Sequence, residues 1–146
     1  MKKSAIEQIV VGFHQKTLPL KQWTHQAHLI VGLDTILKHG VEHSIPVMRQ
    51  GIKAYNLSVG TQNTDSSGYH ESITIFFLHA LQAFREKYSD LKTLPELIPQ
   101  LDQSQLMAQS FMFHFYKKET LFSIQARRHW VAPDIRPLSN LHDINL

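Results

Sequence analysis

Between Thr24 and Gly40 the apolar residues Leu29, Ile30, Leu33, Ile36 and Leu37 recur at helical spacing. At about 100° per residue they share one face, so this stretch is an amphipathic helix that must bury that face against other helices. Thr24 is a suitable N-cap and Gly40 a suitable stop. A second strong pattern covers 69–88, where Ile73, Phe76, Phe77, Ala80, Leu81, Phe84 and Tyr88 line one face. No segment alternates with the period of a strand. The pattern predicts an all-α single domain over 1–146, an irregular bundle of about five or six helices with an extended tail from about 131.

The remaining elements follow from local signals. Ser4 and Glu7 fit a capping box for a helix over 5–14. Ser44 with Pro46 predicts a helix start, ending near Ser58. Thr93-Leu94-Pro95-Glu96 predicts a cap and first turn of a short helix to about 102, and Ser104 another short helix through Phe115. A last helix is expected over 118–130. Residues 60–68 carry loop chemistry, with Gly60, Asn63, Asp65 and Gly68.

Composition excludes several classes. The 146 residues contain no cysteine, which removes disulfides, thiolate ligands and a cysteine nucleophile. The formal net charge is +3, and the one dense basic cluster is Arg127-Arg128-His129. No helix offers a recognition face rich in Arg, Lys, Asn or Gln, so no nucleic-acid partner is expected. Ile9-Val10-Val11 is too short for a signal core, and no apolar run approaches the roughly 18 residues of a membrane span. A cytoplasmic protein with no membrane partner is expected. A homodimer is the assembly that the apolar faces leave open.

Ten histidines is a high count for this length, and three of them have informative positions. His25 lies within the apolar face that starts at Thr24. His28, one turn on, lies at its edge above Gly32. His70 projects from the apolar face of the 69–88 helix. Short connections make neighbouring helices antiparallel. The starts at 24 and 69 then lie at one end of the bundle, with Tyr55, Asn56 and the loop 60–68. A histidine on an apolar face is most often a core residue with one hydrogen bond; three at one end favour a site.

Trp23-Thr24-His25, Ala27-His28-Leu29, Tyr55-Asn56, Gly60-Thr61, Asn63-Thr64 and Gly68-Tyr69-His70-Glu71 resemble a family of small uncharacterised bacterial helical proteins. That family carries W-T-H-x-A-H-L and N-T-x-x-x-G-Y-H-E motifs. Tyr116, Leu121-Phe122-Ser123, Ala126-Arg127, Trp130-Val131 and Pro133-Asp134 look like its C-terminal part. The resemblance covers most of the chain and implies that these polar residues belong together. It implies no activity. At fold level, histidines at one end of a small bundle are similar to those of DinB-type metal-binding bundles, an analogy only.

Two functional readings follow. In the first, His25, His28 and His70 hold a divalent transition metal such as zinc or iron, leaving an open position. Asp65, Glu71 or Tyr55 then carries acid/base work, and Trp23, Asn56, Asn63, Thr64 and Arg127 bind a small-molecule substrate. This is a small metal-dependent enzyme. In the second, two helix N-termini facing one pocket favour an anion, and the chain is a metal-free binding protein or enzyme for a small anionic ligand. Ser66 and Ser67 lie near His70, but no nucleophile elbow, phosphate loop or dinucleotide fingerprint is present.

Overall fold

Gly40 divides the longest helix of the chain. The computed structural model describes residues 1–146, and its helix α2 (His25–Ser58) reverses direction at this residue. Gly40 has φ 77° and ψ 166°, a backbone region open essentially to glycine alone. Residues 25–39 and 41–58 form two antiparallel arms. Thr35 of one meets Met48 of the other at 3.4 Å, and the Trp23 and Tyr55 rings at the far end are 5.2 Å apart.

The protein is all-α, with no strand. Helix α1 (Lys3–Gln15) packs on α2, and α3 (Glu71–Lys87) packs along both arms of α2. Helix α4 (Leu94–Asp102) follows, with two short turns, α5 (Lys118–Leu121) and α6 (Ile124–Arg128), and several 3-10 segments between them. One continuous core of 32 buried apolar residues serves all of these elements. Phe76 of α3 lies at its centre, with Phe77, Phe111, Phe115 and Tyr116 within 6.1 Å, centroid to centroid.

α3 runs beside the first arm of α2 in the same direction. His25 meets Phe77 near the starts, and Gly32 meets Leu81 a turn or two later. A Cβ on Gly32 would lie 2.9 Å from Leu81 Cδ1, so glycine there permits the close helix approach.

Local capping explains most boundaries. Thr24 Oγ1 accepts from Ala27 N–H at 3.2 Å, and Thr93 forms the expected capping box with Glu96. Five expectations are corrected. The box from Ser4 and Glu7 does not form, because α1 starts at Lys3 and already contains Ser4. Ser44 does not cap a helix start; its hydroxyl donates to Gly40 O at 2.6 Å and the second arm is helical before it. The stretch after Ser104 forms two 3-10 segments, Gln105–Met107 and Gln109–His114. The helix expected over 118–130 is broken, because Ser123 accepts from Ala126 N–H and starts a new turn. The tail after 131 also folds back: Leu138–Asp143 is a 3-10 helix, and Leu141 and Leu146 enter the core.

Gly40 has no atom near its Cβ position, so Gly40→Ala is a test of backbone strain alone. The expected loss is about 1–3 kcal/mol in urea unfolding, with an unchanged m-value.

Candidate functional site

The start of α2 is built as an aromatic stack. Trp23 precedes the Thr24 cap and packs on His28 one turn inside the helix, the geometry of a hydrophobic staple. The Trp23 and His28 rings are 3.7 Å apart at 27°, and Phe13 lies on Trp23 at 4.6 Å. His28 Nδ1–H donates to Thr24 O at 2.7 Å, which leaves Nε2 with a lone pair. His25 Nε2–H donates to Leu106 O at 2.7 Å, and its Nδ1 carries the lone pair. Burial lowers the pKa of both rings, and that of His28 falls to about 4. Both are neutral imidazoles at pH 7.

The start of α3 is built from the loop before it. Asn63 is the hub of that loop. Its Oδ1 accepts from Asn56 Nδ2 at 2.9 Å and from Tyr69 N–H at 3.0 Å, and its Nδ2 donates to Lys53 O at 3.1 Å. Thr64 Oγ1 accepts from the backbone N–H groups of Ser66 and Ser67. Gly68 has φ 76°, and a Cβ there would collide with Gln62 O and with Asn63 Oδ1 at 2.7 Å. Only glycine closes this loop. His70 then caps α3 with its ring: Nδ1 accepts from Ile73 N–H at 3.1 Å, while Nε2–H donates to Leu121 O at 2.7 Å.

These two starts, the second arm and the C-terminal chain line a half-open cavity of about 530 Å³, within the usual range for small-molecule sites. Twelve of its 22 lining residues are hydrophobic, among them Leu29, Met48, Ile73, Phe77, Met112 and Phe122. Trp23, His25, His28, Asn56, His70 and Arg127 also line it. Arg127 is the one side chain of permanent charge on its wall, and no carboxylate reaches it. Half-buried Arg127 donates through Nη1 to Gly68 O at 3.0 Å and Tyr69 O at 3.2 Å. Its other guanidinium nitrogens form no hydrogen bond within the protein.

The other expected site residues lie elsewhere. Tyr55 is fully buried beside Phe13 and Trp23, and its hydroxyl donates to Leu18 O at 2.8 Å. It is a core residue with no face on the cavity. Asp65 accepts from Arg128 through both oxygens at 2.6 Å on the surface. Glu71 accepts from Arg49 at 2.8–3.1 Å and from the Tyr69 hydroxyl at 2.6 Å. Burial opposes its charge, but Arg49 and Tyr69 outweigh that and hold its pKa below the usual carboxylate value. Asn63, Thr64, Asp65 and Glu71 border a separate outer cleft, with Arg49 and Lys53. The sequence reading missed Arg49 and Lys53, although their four-residue spacing places them on one face of the second arm. It also missed Phe122, which is exposed and lines the cavity.

The residues do not fit the expected three-histidine metal centre. No group of three His, Cys, Asp or Glu side chains has the geometry to hold a metal ion. Both ring nitrogens of His70 are engaged in structural hydrogen bonds. Only one nitrogen each of His25 and His28 is open, and the carboxylates meant to assist are held by arginines outside the cavity. His70 is a buried cap and clamp.

No protein-family model matches the chain, and neither a curated protein nor a solved structure matches it. No helix is long and apolar enough to cross a membrane.

Stability should depend on pH through these imidazoles. Each has a folded-state pKa below its unfolded value, so the unfolded chain binds more protons as pH falls. The contribution is complete above the unfolded pKa of about 6.5. For His28 it is lost as pH falls to about 4, a change on the order of 2–3 kcal/mol. Urea unfolding at pH 7.5, 5.5 and 4.0 should show the decline, and His28→Gln should shrink it.

Proposed function

We propose that the protein is a metal-free binder of a small amphipathic molecule, with an apolar body and one anionic group. The supporting observation is the cavity itself: a largely apolar chamber of about 530 Å³ whose single permanent charge is the Arg127 guanidinium. An apolar body gains about 25 cal/mol for each Å² that it removes from water. A carboxylate or phosphate meets a guanidinium in a setting of reduced dielectric, where a charge-assisted hydrogen bond is worth more than in water. The neutral histidines add no competing charge. Nδ1 of His25 and Nε2 of His28 offer lone pairs to a hydroxyl or amide on the ligand.

The histidine arrangement favours this reading over the metal-dependent enzyme. A divalent cation would need ligands that His70 no longer has free, beside a guanidinium that repels it. The W-T-H-x-A-H-L segment then serves as stack and wall, and the N-T-x-x-x-G-Y-H-E segment as loop, cap and clamp.

Octanoate is the probe for the test, with octanol as its uncharged counterpart. Calorimetric titration should give one octanoate per chain, unaffected by EDTA. Arg127→Gln should weaken octanoate by about tenfold or more, since a hydrogen bond to a charged group contributes about 1.5–3 kcal/mol. Octanol should bind both forms alike. Absence of octanoate binding, or its loss with EDTA, would overturn the proposal.

A further inference from the structure

The outer cleft, of about 480 Å³, shares Tyr69 and Arg127 with the main cavity. Its charges do not cancel. Arg49, Lys53, Arg127 and Arg128 border it, against Asp65 and Glu71. Glu71 is held by Arg49 through two nitrogens, and Asp65 by Arg128 through two oxygens. Each acid is thereby matched to one arginine. Lys53 and Arg127 form no salt bridge; Lys53 feels the Glu71 charge only at longer range, so four cations still face two acids. Lys53 Nζ lies 5.2 Å from the centroid of the Tyr69 ring, and Arg127 donates to the carbonyl of the same residue. The two cations outside the salt bridges thus both reach Tyr69, where cavity and cleft adjoin.

From this juxtaposition we infer that the anionic group of the ligand is a phosphate monoester, held between Arg127 and Lys53 at the junction while its apolar part fills the cavity. The inference rests on the reading of the cavity as a site for an amphipathic anion. A carboxylate has one charge and satisfies one of the two cations. A phosphate monoester carries about −1.5 to −2 at neutral pH, with three acceptor oxygens, and matches both. The two arginine–carboxylate pairs hold their own guanidinium groups in place, so they frame the cleft without competing for the ligand. Tyr69 keeps its hydroxyl on Glu71, and its ring lies beneath the Lys53 ammonium.

The test compares monomeric octyl phosphate with octanoate by calorimetric titration at pH 7.5, with wild type and Lys53→Gln. In wild type, octyl phosphate should bind about tenfold tighter than octanoate, the effect of one further charge-assisted bond. Lys53→Gln should collapse that difference. Equal affinities in wild type, or a phosphate preference that survives in Lys53→Gln, would overturn the inference while leaving the cavity reading intact. Failure of both ligands to bind would overturn the two together. Sedimentation with vesicles containing phosphatidic acid, without binding of monomeric octyl phosphate, would place the phosphate on a membrane lipid and overturn the assignment to a soluble monoester. Lys53 is exposed, so its replacement leaves the fold intact, and an unchanged unfolding midpoint checks this.

Discussion

The imidazole of His70 lies buried between the first turn of α3 and the last residue of α5, with both nitrogens bonded. One bond is a side-chain cap, so a helix N-terminus inside the protein has one of its orphan N–H groups satisfied. The other reaches Leu121, 51 residues later. Two residues on, the buried Ser72 hydroxyl donates to His129 O and accepts from Val131 N–H. This one helix start therefore fixes where the C-terminal chain crosses the bundle. The crossing sets the position of Arg127 and Phe122, two walls of the cavity. An unpaired buried polar group costs about 1–3 kcal/mol, so displacing the irregular chain from these three polar contacts would be costly.

The same economy of polar groups explains the cavity's chemistry. Every carboxylate near the site is engaged on its outer side: Asp65 by Arg128, Glu71 by Arg49 and Tyr69. The interior is left with neutral imidazoles, apolar side chains and one guanidinium. Two helix starts add the partial positive charge of their N–H groups. The electrostatic balance of the chamber favours an anion and opposes a cation, although the overall net charge of the chain is a mild +3.

Local signals were readable in the sequence. Thr24 and Thr93 have the right residues downstream for caps, Gly40 follows a full apolar stripe, and both caps and the reversal at Gly40 are observed. Short connections also placed the starts at 24 and 69 at one end, because antiparallel packing leaves few alternatives. Local signals failed where side chains compete for the same backbone groups. Ser44 and Ser4 look like caps, yet a serine inside a helix can donate to a carbonyl one turn back, as Ser44 does to Gly40. Ser123 does cap, and so breaks a helix that periodicity alone would carry through to Trp130.

For the site, residue type and spacing grouped His25, His28, His70, Asn56, Trp23 and Arg127, which line the cavity, with Tyr55, Asn63, Thr64, Asp65 and Glu71, which do not. What each does there depends on partners far away in the chain. The hydroxyl of Tyr55 is satisfied by Leu18, the ring of His25 by Leu106, and the carboxylate of Asp65 by Arg128. A histidine with a free nitrogen and one bonded at both nitrogens are the same letter in a sequence. The helical framework follows from short-range periodicity and capping, which every segment carries within itself. The division of the polar residues into walls, clamps and free donors arises from hydrogen bonds across dozens of residues, and those form only once the helices have packed.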